Sequence, residues 1–263
     1  MKKQFLAAAV VAAFSVAVIG CADDATTDNP TSKATTVYSA KQPMGQDSVQ
    51  TYYTTDDNGD PATIGIAFSS KSMNGIEINP ANPASGTFML DMPAGTPAPW
   101  TFAMINWNLT GHEPLPYMIP HFDFHFYMSP MSEVMGIIPV GLPTDPLPKD
   151  NPIVDMKYLP STSVGDSSII PYMGVHWADV TSPEISGGAV FTSTFIYGSY
   201  HQNVTFMEPM ISKAYLDTKP DATFDVKQPS EWQKSGYYPK QYRVRYDAGT
   251  DMYYVALVNL AKH

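Results

Sequence analysis

The sequence holds one cysteine, Cys21. Beyond that position the chain can form no disulfide, cysteine nucleophile or thiolate metal site, so its stability must come from a packed core. Charge is also scarce, at 15% of residues against about 25% in ordinary proteins. What charge exists is acidic, with a formal net charge of −10 over 263 residues, which argues against nucleic acid and anionic lipid surfaces as partners. No Gly-x-Ser-x-Gly elbow, phosphate-cradling glycine loop or dinucleotide fingerprint occurs, which leaves nucleophilic-serine and nucleotide chemistry without support. The Ala, Glu, Lys and Leu excess of a helical bundle is missing, and 24 prolines oppose long helices.

What is present is apolar and aromatic. Hydrophobic residues make up 44% and aromatics 12%, enough for a core and too much for a disordered chain. The one long uncharged apolar run, residues 5–19, follows the basic Met1-Lys2-Lys3 and ends at Val18-Ile19-Gly20-Cys21. That is short for a membrane span and has the layout of a secretory leader. Its end has the form of a bacterial lipobox, so residues 1–20 are expected to be a lipoprotein signal peptide and Cys21 the lipidated residue. Several acyl chains on one residue anchor firmly, at about 0.8 kcal/mol per buried methylene. The expected location is the bacterial cell envelope: exported, and held to a membrane through Cys21. Loss of Lys2 and Lys3 with the leader takes the formal charge from −10 to −12. Residues 21–48, rich in Thr, Asp, Ala and Ser, are expected to serve as a flexible tether entering a first strand near Val37.

Residues 49–263 are expected to form one mainly β domain, a β-sandwich or barrel-like fold with long Pro-rich loops and a few short helices. Residues 51–55 and 63–68 flank Asp56-Asp57-Asn58-Gly59-Asp60-Pro61, a hairpin signal with Asn-Gly inside it. A second hairpin is expected from residues 242–246 and 252–260. More than half of the prolines lie between Pro93 and Pro171, which predicts short strands separated by long loops there. Short helices are expected at residues 131–135, after Ser129-Pro130, and at 209–216 and 229–234.

Five of the six histidines fall between His112 and His201. In Pro120-His121-Phe122-Asp123-Phe124-His125-Phe126-Tyr127 a strand would turn the three phenylalanines to one face, and His121, Asp123, His125 and Tyr127 to the other. The phenylalanine face reads as core. The opposite face presents two imidazoles about a carboxylate, with His112, Glu113, His176 and Glu208 available from neighbouring segments. Imidazole and carboxylate without sulfur suit a divalent transition metal such as Zn, Mn or Fe. His112-Glu113-Pro114-Leu115-Pro116 is not a zinc-protease helix, because the second histidine is missing and the prolines break the helix. His121-x-Asp123 with a distal His176 has the order of a two-histidine, one-carboxylate iron site, whereas a cupin-like barrel would want His-x-His. His201 sits in an expected turn. Glu184 and Glu208 each adjoin a proline, and capping is the simpler role for Glu184.

The segments Gly111-His112-Glu113-Pro114, residues 120–127, Met173-Gly174-Val175-His176-Trp177, Glu208-Pro209-Met210 and Gly236-Tyr237-Tyr238-Pro239 together resemble the signatures of an uncharacterised family of exported bacterial proteins, a domain of unknown function. The resemblance spans roughly residues 48–260. It implies a single β-rich module and supplies no activity or substrate. Where it implies Asp-Gly, this chain has His201-Gln202, which removes weight from His201.

Two functional readings follow. One is an envelope lipoprotein with a divalent-metal site drawn from His112, Glu113, His121, Asp123, His125, His176 and Glu208, structural or hydrolytic. The other is a non-enzymatic, self-assembling module, a homo-oligomer in which the histidines form only a hydrogen-bond network and methionine-rich surfaces mediate contacts.

Overall fold

The computed structural model describes residues 33–79, 82, 85–137, 154–166 and 169–263. The expected signal peptide and Cys21 lie outside the described residues, as does part of the Pro-rich middle, residues 138–153.

Two antiparallel sheets make up the domain. The first contains β1 (Thr36–Tyr38), β2 (Gln42–Met44), β3 (Asp47–Thr55), β4 (Pro61–Ser69), β12 (Asp221–Asp225), β13 (Tyr237–Asp247) and β14 (Met252–Lys262). Its order is β1-β3-β4-β14-β13-β12, with β2 also on β3. The second contains β5 (Thr87–Asp91), β6 (Phe102–Asn108), β7 (His121–Tyr127), β8 (Ser163–Gly165), β9 (Val175–Asp179), β10 (Ser193–Tyr200) and β11 (Asn203–Ser212). Its order is β5-β6-β7-β11-β10-β9-β8. Neither sheet closes, so the architecture is a β-sandwich and the barrel-like alternative is not realised.

Both expected hairpins are present, as β3–β4 and β13–β14. Ordered sheet begins at Thr36, so the described part of the expected tether already belongs to the domain, ahead of the boundary at residue 49. Helix α1 (Met131–Val134) lies where Ser129-Pro130 placed it, and a further turn, α2 (Pro183–Ser186), follows Ser182. The expected helix at 209–216 starts late. Residues 209–212 continue β11, where Pro209 faces Phe195, and α3 (Lys213–Asp217) begins after Ser212, whose hydroxyl accepts the Tyr215 N–H. No helix forms at 229–234. A segment that short cannot nucleate one unaided, and its side chains bond elsewhere: Gln233 accepts the Val204 N–H, Lys234 donates to the Met128 carbonyl, and Trp232 stacks on Tyr238.

Alternation along β7 sets the layers. Phe122, Phe124 and Phe126 enter the main core with Ile64, Phe68 and Val255 of the other sheet, and Phe68 stacks on both Phe124 and Tyr253. The opposite face of β7 is covered as well. All seven of its residues are buried, because the segments before β7 and before β9 fold over the outer face of the sheet. Gly111 allows the first of these to turn: its φ is +71°, and a Cβ there would run into the backbone of Tyr117 and Ile119. This cover creates a cavity of roughly 560 Å³ between sheet and loops.

Candidate metal centre

Register places the polar residues in rows across the second sheet. Asn108 pairs with His121 and Asn106 with Asp123 between β6 and β7. On the other side Met210 pairs with Asp123 and Phe206 with Tyr127, so Glu208 stands opposite His125. His176 lies on β9, beyond β10, in register with Gly198. The chain therefore sorts the sequence candidates into two groups of three: His112, His121 and Asp123, and His125, His176 and Glu208.

In the first group the Nε2 atoms of His121 and His112 are 3.1 Å apart. His121 Nε2 is 3.2 Å from Asp123 Oδ1, and His112 Nε2 is 3.6 Å from Asp123 Oδ2. Both rings use the other nitrogen on the main chain. His121 Nδ1 donates to the Ile119 carbonyl at 2.7 Å, and His112 Nδ1 to the Glu113 carbonyl at 2.8 Å. A carbonyl only accepts, so each Nδ1 carries the proton and, in the neutral rings, each Nε2 presents a lone pair toward the other. Two lone pairs in contact beside a carboxylate are repulsive unless a proton or a metal ion lies between them. Atoms about 2.0–2.2 Å from a tetrahedral zinc-sized ion would stand about 3.3–3.6 Å from each other, close to the observed spacing. The Nδ1-to-carbonyl bonds are also the outer contacts that orient metal-binding imidazoles.

Asn108 supports the carboxylate. Its Nδ2 donates to Asp123 Oδ2 at 2.6 Å and lies 3.2 Å from His121 Nε2. Asp123 Oδ1 has no hydrogen-bond partner of its own. Burial would raise the Asp123 pKa, but the adjacent His112 and His121 rings, which become donors and positive charges when protonated, overcome it and hold the carboxyl far below its usual range. Burial likewise works to lower the His112 pKa, and the hydrogen bond and charge of Asp123 outweigh it, leaving His112 raised. His121 is fully buried while the His112 side chain is 45% exposed, so the group opens outward on the His112 side.

The second group is deeper. Glu208 Oε2 lies 3.3 Å from His125 Nε2 and 3.8 Å from His176 Nε2. Burial lowers the His125 pKa to about 3 and the His176 pKa to about 4, so both rings are neutral near pH 7. Burial, reinforced by the charges of Asp123 and Asp166, pushes Glu208 well above the carboxylate range. The Phe206 ring lies against both His125 and His176. It fits because residue 198 is glycine: a Cβ there would collide with the ring.

The sequence candidates are thus brought together selectively. His121-x-Asp123 with a distal His176 is not a single site, because His176 turns to Glu208 and the imidazole beside His121 and Asp123 is that of His112. The Glu113 carboxylate joins neither group. Its side chain stands at the exposed rim of the cavity, and only its carbonyl contributes, by orienting His112. His201 occupies the β10–β11 turn with φ of 44°. Glu184 accepts a hydrogen bond from the Tyr117 hydroxyl instead of capping a helix. Asn106, Asn108, Tyr117 and Asp166, all lining the cavity, were not singled out by sequence reasoning. The two asparagines carried a usable signal, being in phase on one face of residues 101–108; Asp166 and Tyr117 carried none.

The first group offers three donor atoms that could hold a metal ion, beside a cavity that His112 and Asp123 line. No family model, curated protein or solved structure matches the chain.

Proposed function

We propose that this chain is an exported, lipid-anchored metalloprotein that binds a divalent transition ion, zinc foremost, through His112, His121 and Asp123. The observation that carries the reading is the 3.1 Å approach of two imidazole Nε2 atoms whose Nδ1 protons are already given to carbonyls. An acidic body, −10 in formal charge, favours cations around it. Such an ion supplies Lewis acidity and an activated water, so hydrolysis of a small substrate entering the cavity is the reaction class this arrangement suits best. The protein's own residues would do the rest. Asn108 fixes the Asp123 carboxylate, the Ile119 and Glu113 carbonyls fix the rings, and Ile196 and Met210 supply apolar wall. The leader and Cys21 support the envelope location: once exported, the domain meets extracytoplasmic metal and is held at a membrane.

Zinc titration of the purified full-length protein tests the reading. A hundredfold excess over Kd would stabilise the fold by about 2.7 kcal/mol, a rise of roughly 5–10 °C in Tm for a domain of this size. His121→Gln should abolish the part of that rise due to this centre. If neither metal retention nor any change in melting is seen with Zn²⁺ or Mn²⁺, the histidines form a hydrogen-bond network through Asn108 and the proposal fails.

A further inference from the structure

His125, His176 and Glu208 take no part in the centre proposed above. Glu208 and His125 are the most enclosed, with side-chain exposures of 1% and 0%, and His176 is only 15% exposed. Such polar groups ordinarily hydrogen-bond. Here Nε2 of His125, Nδ1 of His176 and Oε2 of Glu208 lack a partner. The 3.3 Å between His125 Nε2 and Glu208 Oε2 lacks hydrogen-bond geometry, and one donor atom from each of the three residues lies within 4.8 Å of the others. His125 Nε2, His176 Nε2 and Glu208 Oε2 converge from β7, β9 and β11 on one point, a donor set that a positive ion would complete.

We infer that His125, His176 and Glu208 bind a second divalent transition-metal ion, separate from the first. Two imidazoles and a carboxylate form a donor set suited to Zn²⁺, Mn²⁺ or Fe²⁺. Asp166 provides the outer contact: its Oδ2 lies 3.6 Å from His176 Nδ1, on the side away from Glu208, where a carboxylate orients a ligating imidazole. Gly198 and Phe206 close the site on another side, the Phe206 ring packing against both histidines. His176 and Asp166 line the same cavity as His112 and Asp123. The second ion therefore borders the chamber of the first while its other two ligands stay enclosed.

The inference does not rest on the first centre, and the experiment separates them. Metal-stripped full-length protein is dialysed against Zn²⁺ and its bound metal measured, for the wild type and for Glu208→Gln and His121→Gln, with circular dichroism confirming the fold of each. Two equivalents are expected for the wild type and one for each variant. A wild type that saturates at one equivalent, lost in His121→Gln and kept in Glu208→Gln, overturns the second site and leaves the first. One equivalent lost only in Glu208→Gln overturns the first and upholds the second. Should Glu208→Gln fail to fold, anomalous scattering at the zinc edge from wild-type crystals decides: a peak among His125, His176 and Glu208 supports the site, and its absence there refutes it.

Discussion

The Tyr117 hydroxyl donates to the buried Glu184 carboxylate at 3.1 Å, tying the loop that carries His112 to helix α2. The same loop is closed by the His112 N–H bonding the Tyr117 carbonyl at 3.2 Å, so the position of His112 depends on where Tyr117 is held. Tyr117→Phe keeps the ring against Phe191 but leaves Glu184 without this donor. The expected cost is about 1–3 kcal/mol in folding, together with weaker zinc binding at the first centre and no change at the second. Urea unfolding and calorimetric titration of the variant check both effects.

Gly198 makes a different prediction, because its lack of a side chain serves the Phe206 ring and not a turn. Gly198→Ala would push that ring toward His125 and His176. Overpacking of this kind costs about 1–3 kcal/mol. The variant should unfold at lower urea and lose metal at His125, His176 and Glu208 before His112, His121 and Asp123 are affected. Unchanged stability would mean that Phe206 has room to move away.

How much of this was legible beforehand follows from the geometry of strands. Period-two alternation assigned Phe122, Phe124 and Phe126 to the core and His121, Asp123 and His125 to one opposite face, because neighbouring side chains on a strand must point apart. Asn58-Gly59 and the spacing of residues 242–260 located hairpins through local turn chemistry. Neither kind of signal reports which strands become neighbours. His176 reaches Glu208 only because a single strand, β10, lies between β9 and β11, an order set by the whole sandwich. The division of one histidine cluster into two groups was therefore hidden, as was the role of Asp166, a loop residue without periodicity.

The buried imidazoles predict the pH response of the metal-free protein. His125 and His176 titrate at about 3 and about 4 in the fold, below the ordinary histidine value of 6.5. The unfolded chain therefore binds their protons first, and stability should fall as pH drops from about 6.5 toward 4. His112, raised, acts in the opposite sense, contributing stability below about 6.5 that is lost as pH rises through its folded value. It is a single, half-exposed group, and solvent screens it. Glu208, raised, opposes the two histidines, since the fold keeps its proton where the unfolded chain has released it. The net expectation is a metal-free Tm that declines through this acid range less than two histidines alone would give, and a shallower decline in His176→Gln. A Tm independent of pH between 6.5 and 4 would contradict the buried neutral rings.

Accessibility distinguishes the two centres in time. His112 is 45% exposed, whereas His125 and Glu208 are sealed at 0% and 1%. A chelator can reach an ion held by His112 from the cavity mouth, while an ion on Glu208 borders that cavity only through His176 and is released more slowly, with local opening around its two enclosed ligands. Zinc removal by excess EDTA should thus proceed in two phases, fast and slow. His121→Gln should delete the fast phase and Glu208→Gln the slow one. Acid should speed both, since protons compete for the same imidazole and carboxylate atoms that hold the metal. A single phase that survives in both variants would place the bound zinc elsewhere on the protein.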